Sequence, residues 1–152
     1  MTPGPISVIV VADRAGWIRR MLASLKALPV ESAEAFSADP HSAAAAESYL
    51  RRALEALLDL GRHILAKGFA RGVAEYKAIA EALAEETVLS RHDAEILVRL
   101  AGYRNRMVHF YHAVGEEELR LICRDRLGDV ERVLDALISW LRAHPDRMDR
   151  EI

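Results

Sequence analysis

Apolar residues recur along this chain at spacings of three and four, and few stretches alternate in the manner of strands, so helix is the base reading throughout. Val8 to Leu28 predicts a first helix, with Trp17, Met21, Leu22 and Leu25 at helical spacing and Pro29 ending it. Val30 to Asp39 reads as a linker or short turn. Asp39-Pro40 then pairs an N-cap acceptor with a proline suited to the first helical position. The second helix follows from Pro40 to Lys67 on the stripe Leu50, Leu54, Leu57, Leu58, Ile64 and Leu65, with Gly68 as its stop. Glu75 to Glu85 predicts a short third helix. Ser90 with Asp93 is a variant capping box that opens a fourth helix, Arg91 to His109. After Gly115, a fifth helix from Glu116 to Ala143 carries acids in its first turn and a core of Leu119, Ile122, Leu127, Val130, Leu134, Leu137, Ile138 and Leu141. The expected architecture is all-α, an up-and-down bundle of four main helices plus one short helix, as a single domain over residues 1–152.

Composition sets limits on this picture. With 152 residues, 51% hydrophobic and 29% charged, the chain is long enough to bury a core and is ordinary for a globular domain. A net charge of -2 argues against a protein that coats nucleic acid along its whole surface. The lone cysteine, Cys123, allows no internal disulfide and fits a reducing compartment. The apolar run Ile6 to Ala12 is too short to span a bilayer and lacks the basic start of a signal peptide. A cytoplasmic protein without membrane contact is therefore expected. The VIVV run at Val8 to Val11 covers every face of a helix. It predicts either a surplus that faces a partner subunit or a short extended segment.

Against that balanced charge, one window stands apart. Arg99 to Gly115 holds three arginines, two histidines and no acid over 17 residues. An anionic partner, most simply a phosphodiester, accounts for it economically. At its centre lies RNRMVHFY, Arg104 to Tyr111. A planar guanidinium can hold a phosphate, an imidazole can move a proton near neutral pH, and a phenol offers a hydroxyl. On a wheel of about 100° per residue, Arg104 falls inside the apolar arc of Leu97, Leu100, Ala101, Met107 and Val108, with Tyr111 beside it. His109 lies about 140° away, with Asn105 and His112 between. A straight helix does not aim Arg104 and His109 at one point. Either the helix bends, or a two-fold dimer brings the arginine of one chain to the histidine of the other; the dimer is favoured here. Each residue also has a plain structural reading. Arg104 can brace a helix junction through an acid such as Asp59, His109 can cap a helix end, and Tyr111 can be a half-buried aromatic.

The same residues are a family signature. Arg104, Asn105, His109 and Tyr111 match the arginine, polar residue, spacer, histidine and following tyrosine of the HEPN superfamily in its HepT-like branch. RRALEALLDLGRHILAKG, Arg51 to Gly68, resembles that family's second helix, and EYKAIAEALAEE, Glu75 to Glu86, its short third helix. The likeness extends over Ser48 to Val114. It implies a HEPN-like homodimer acting as a metal-independent endoribonuclease toxin with no cofactor. His109 would handle the 2′-hydroxyl proton, Arg104 would bind the non-bridging phosphate oxygens, and Asn105 and Asp59 would support them. It further implies a cognate nucleotidyltransferase antitoxin, MntA-like, that attaches AMP to Tyr111 and silences the site.

Two other classes remain open at this point. One is a non-catalytic HEPN module that binds nucleotide or RNA beside a nucleotidyltransferase. The other is a structural helical dimer, which requires Arg104 fully satisfied by an acid and no open cleft. His109 and His112, three apart with no neighbouring acid or thiol, are rejected as a metal site. Arg99 and Arg106 are expected as solvated charges. No glycine-rich phosphate loop or serine-hydrolase motif is present.

Overall fold

In a computed structural model that describes residues 2–109 and 114–152, the chain is a helical bundle. Its described elements are α1 (Val8–Lys26), α2 (Ala33–Ala38), α3 (Pro40–Phe69), α4 (Tyr76–Glu85), α5 (Arg91–His109), α6 (Glu116–Asp125), α7 (Leu127–Ala143) and a 3-10 turn (Pro145–Arg147). The start signals act as their chemistry dictates. The Ser7 hydroxyl accepts from the Val10 amide at 3.3 Å, the Asp39 carboxylate from the His41 amide at 2.9 Å, and the Ser90 hydroxyl from the Asp93 amide at 3.1 Å.

Helix α3 is the axis of the bundle. Leu50, Leu54, Leu57, Leu58, Leu60, Ile64 and Leu65 are all buried, on more than one face, because α1, α4, α5, α6 and α7 pack around it. Each such side chain contributes roughly 1.5–3 kcal/mol of burial. Two glycines permit close approaches. At Gly61 a Cβ would meet Leu83 Cδ1 at 2.9 Å, so α4 lies directly on α3 there. At Gly68 it would meet Ile6 Cδ1 at 3.0 Å. Gly68 is therefore a packing glycine rather than the helix stop expected from its position. The helix ends one residue later, and Ala70 takes the left-handed conformation at φ 51°. The N-terminal segment is tied down beside it. The Ser7 amide donates to His63 Nε2 at 3.1 Å, and Ile6 forms a parallel bridge with Met148.

Two expectations are corrected. The segment read as a linker holds α2, capped by Ser32, with Phe36 only 1% exposed. A six-residue helix with one large apolar residue shows no periodicity. The predicted fifth helix is two helices, broken at Arg126 (φ -113°, ψ 0°). Leu119, Ile122, Cys123, Leu127 and Val130 keep one helical stripe across the break, so the pattern alone cannot reveal it. The break lets α6 pack on α1, α2 and α3 while α7 turns to α3 and α5. The VIVV run is helical. Val11 is buried, and Ile9 is 62% exposed. Among the described residues no helix is long and apolar enough to cross a membrane.

Candidate active site

The acid-free window ends α5, and the face it presents borders α3 and α4. Leu97, Leu100 and Ala101 are buried and fix the helix; beyond them burial falls, and Val108 and His109 are exposed. Arg104 sits at that transition, its side chain 18% exposed. Its Nε donates to Glu55 Oε1 of α3 at 3.3 Å, and one Nη to Asn105 Oδ1 at 3.4 Å. Its Cζ lies 4.5 Å from the ring centroid of Tyr76, the first residue of α4. The arginine is thus held by a carboxylate and an aromatic ring from two other helices.

Tyr76 is held in turn. Arg62 of α3 reaches under the loop that precedes α4. Its Nε donates to the Val73 carbonyl at 3.2 Å, one Nη to the Ala74 carbonyl at 2.8 Å, and the other Nη to Asp59 at 2.8 Å. Its Cζ is 5.1 Å from the Tyr76 ring. Burial, with the Asp59 charge as the next cause, raises the Tyr76 phenol above its ordinary value, so its hydroxyl stays protonated at neutral pH.

These groups border an open cleft of about 450 Å³ lined by Arg62, Ala74, Glu75, Tyr76, Lys77, Arg104, Asn105 and His109. Within one chain, Arg104, Asn105 and His109 all reach it. The angle between Arg104 and His109 is accommodated because the cleft is broad and Asn105 lies between them. Arg104 is partly buried at its wall, and exposed His109 closes α5 at its mouth. Asp59 is not on the cleft wall. It lines a neighbouring groove with Asp13, Arg14, Trp17, Arg52 and Glu55, and meets the cleft through its ion pair with Arg62 and its charge beside Tyr76. Tyr111 and His112 lie outside the described residues. Arg106, expected as a solvated charge, forms a two-pronged pair with Glu118 of α6 at 2.8 and 2.7 Å, which holds the Glu118 carboxyl below its usual range. His63, one turn from Asp59, belongs to the N-terminal tie and not to the cleft. Among the described residues no three His, Cys, Asp or Glu side chains converge as a metal site would need.

The brace reading required Arg104 fully satisfied by an acid such as Asp59 and a closed surface; an acid does meet it, Glu55 at its Nε, but the surface beside it is open. Chemically, the cleft offers a fixed planar cation, a side-chain amide, an ammonium at Lys77 and an exposed imidazole. That set suits an anion with a titratable proton nearby.

The HepT-like ribonuclease family model matches residues 18–137, which includes all of α3, α4 and α5. This chain belongs to the HepT-like ribonuclease family. Its fold is that of HEPN toxins. A tri-AMPylated HEPN toxin of Shewanella oneidensis, in complex with its MNT antitoxin, superposes with a TM-score of 0.76 at 18% identity, covering 86% of this chain and 97% of that one. A toxin–antitoxin structure with AMP-PNP gives 0.75 at 18% identity, covering 84% and 97%. The cytosolic protein of unknown function YutE from Bacillus subtilis gives 0.73 at 20% identity, covering 88% and 90%. Among curated proteins, none matches the chain in sequence.

Sequence reasoning on this HepT-like chain did not find Glu55, Arg62 or Tyr76. Glu55, Asp59 and Arg62 recur at four and three residues and look like a solvated helix face. The signal available was that this polar face lies inside the segment resembling the family's second helix. Tyr76 is the one aromatic of α4, at the residue where that helix starts.

Proposed function

We propose that this HepT-like protein is a metal-independent endoribonuclease toxin that cuts RNA by using the substrate's own 2′-hydroxyl as nucleophile. The observation that carries the reading is the single cleft that Arg104, Asn105 and His109 line together. His109, exposed at the mouth, takes the 2′-hydroxyl proton, the general-base role for which an imidazole side chain is suited. Arg104 binds the non-bridging phosphate oxygens as charge builds on them. Asn105 orients the phosphate or the imidazole, and Asp59 supports the cleft through Arg62. Oxygen attack on phosphorus breaks the bond to the 5′-oxygen, which takes up a proton from water as it leaves, so the products carry a 2′,3′-cyclic phosphate and a 5′-hydroxyl. The protein acts as a homodimer, with a second copy facing the motif end of α5.

Silencing falls to a nucleotidyltransferase antitoxin, MntA-like, that attaches AMP to Tyr111. The AMPylated state of the Shewanella toxin supports this, as does the position of Tyr111 two residues beyond the cleft-lining His109. Added phosphates would compete for Arg104. A second reading, a non-catalytic module that binds nucleotide or RNA, is favoured by one observation: Glu55 already occupies the Arg104 Nε.

The test is an RNA strand carrying a 2′-deoxy sugar at the cleavage position. It should resist while the all-ribose strand is cut to a 2′,3′-cyclic phosphate end. Cleavage of both strands at the same bond would overturn the mechanism. Intact mass of protein produced with such an antitoxin should show AMP additions that disappear in Tyr111→Phe.

A further inference from the structure

We infer that Tyr76, locked in place by Arg62, is a positioning residue that holds the Arg104 guanidinium with its outer donors turned to the cleft. The inference rests on the reading of Arg104 as the phosphate-binding group.

A carboxylate alone cannot do this well. Glu55 meets Arg104 at 3.3 Å and is shared with Arg51 at 3.5 Å, so it is a loose anchor. A carboxylate also consumes N–H donors, the groups a phosphate needs. An aromatic ring restrains a guanidinium through its face and takes no donor. With Cζ at 4.5 Å from the Tyr76 centroid, Arg104 is restrained in this way. Glu55 takes Nε and Asn105 one Nη, and among the described residues the other Nη has no hydrogen-bond partner.

The ring in turn needs a fixed origin. Helix α4 starts at Tyr76 without a side-chain cap from Glu75, so its first turn would fray if left alone. Arg62 prevents this with two bonds to the carbonyls of Val73 and Ala74, the residues just before. Asp59 holds Arg62 from the same helix at 2.8 Å. Gly61, beside Arg62, lets α4 lie against α3 at the distance this requires. The line Asp59, Arg62, Tyr76, Arg104 thus crosses from α3 through α4 to α5 and ends at the cleft.

The test compares Tyr76→Phe, which keeps the ring, with Tyr76→Leu, which keeps bulk only. The first readout is the Arg104 side-chain Nε–Hε resonance, assigned by its loss in Arg104→Lys. In wild type and Tyr76→Phe it should carry the same ring-current shift; in Tyr76→Leu it should move towards the position of an unstacked arginine. The second is turnover of labelled RNA. Tyr76→Leu should lose up to about 100-fold, mainly in kcat rather than KM, the scale of a misplaced catalytic group, while Tyr76→Phe stays within about twofold. Arg62→Lys, which loses the planar fork that meets both carbonyls and Asp59 at once, should shift both readouts in the same direction. If Tyr76→Leu fails to fold, Arg62→Lys alone decides. An Arg104 resonance and kcat unmoved by these changes, in an enzyme that cleaves RNA, would overturn the inference. If wild type leaves RNA intact, the functional reading fails, and the resonance still decides whether Tyr76 positions Arg104.

Discussion

Adding one methyl group at two helical glycines should move stability in opposite directions. In a helix interior Gly→Ala gains about 0.8–1 kcal/mol, because alanine loses less backbone entropy. At Gly16 in α1 the new Cβ would meet only Arg20 Nη1 at 3.9 Å, so the whole gain should appear. At Gly61 it would stand 2.9 Å from Leu83 Cδ1 and 3.1 Å from Ile79 Cγ2. Comfortable carbon contacts are about 3.5–4 Å, so neighbours must give by roughly half an ångström. Leu83 and Ile79 are both fully buried, so they can give way only against packed neighbours. Overpacking of this kind costs about 1–3 kcal/mol. Taking ~2 against a gain of ~1, Gly61→Ala should be destabilised by about 1 kcal/mol. For a chain of this size that is a Tm about 2–4 °C lower, against about 2–4 °C higher for Gly16→Ala. Thermal unfolding by circular dichroism reads both. Gly61→Ala melting as high as Gly16→Ala would refute the claim that α4 is seated directly on α3.

Two further predictions concern groups outside the cleft. Burial, then the charges of Lys67 and Arg14, holds the His63 imidazole below its ordinary value, and the Ser7 amide donates to its unprotonated Nε2. The folded state therefore resists protonation. Its contribution is complete above about pH 6.5 and is lost as pH falls from there through the lowered value. Urea midpoints at pH 7.5 and 5.5 should differ more in wild type than in His63→Gln; equal differences would contradict this. Burial pushes the Cys123 thiol up to about 12, so iodoacetamide at pH 8 should leave the native protein unlabelled and react once urea unfolds it. Labelling of the native protein at the rate of a free thiol would refute that burial.

The parts of this molecule legible in its sequence are those with a long enough period. Helix α3 declared itself through a leucine stripe and an Asp-Pro start, and α5 through a serine cap and an apolar arc. Helix α2 did not, because Phe36 alone carries it. The turn at Arg126 did not, because the apolar phase of α6 continues into α7. The site divides along the same line. Arg104, Asn105 and His109 stand close together in sequence, so spacing and charge could single them out, and the structure puts all three on one cleft. The groups that hold Arg104 were not: Glu55 is 49 residues away, and the Tyr76 ring reaches it only because Gly61 admits α4. Spacing also could not place Arg104 and His109 on one cleft. The wheel gives direction from one axis, whereas a broad cleft between three helices collects residues over a wide arc.

The central claim is that this cleft cuts RNA without metal, through Arg104 and His109. Incubation of a labelled RNA with the purified protein in EDTA, beside Arg104→Ala and His109→Ala, tests it most directly. The account predicts cleavage by wild type, with each variant slowed by about 100-fold or more, the scale of a lost acid–base group or oxyanion donor. Cleavage by His109→Ala at the wild-type rate, or none by wild type with Tyr111 unmodified by mass, would contradict it.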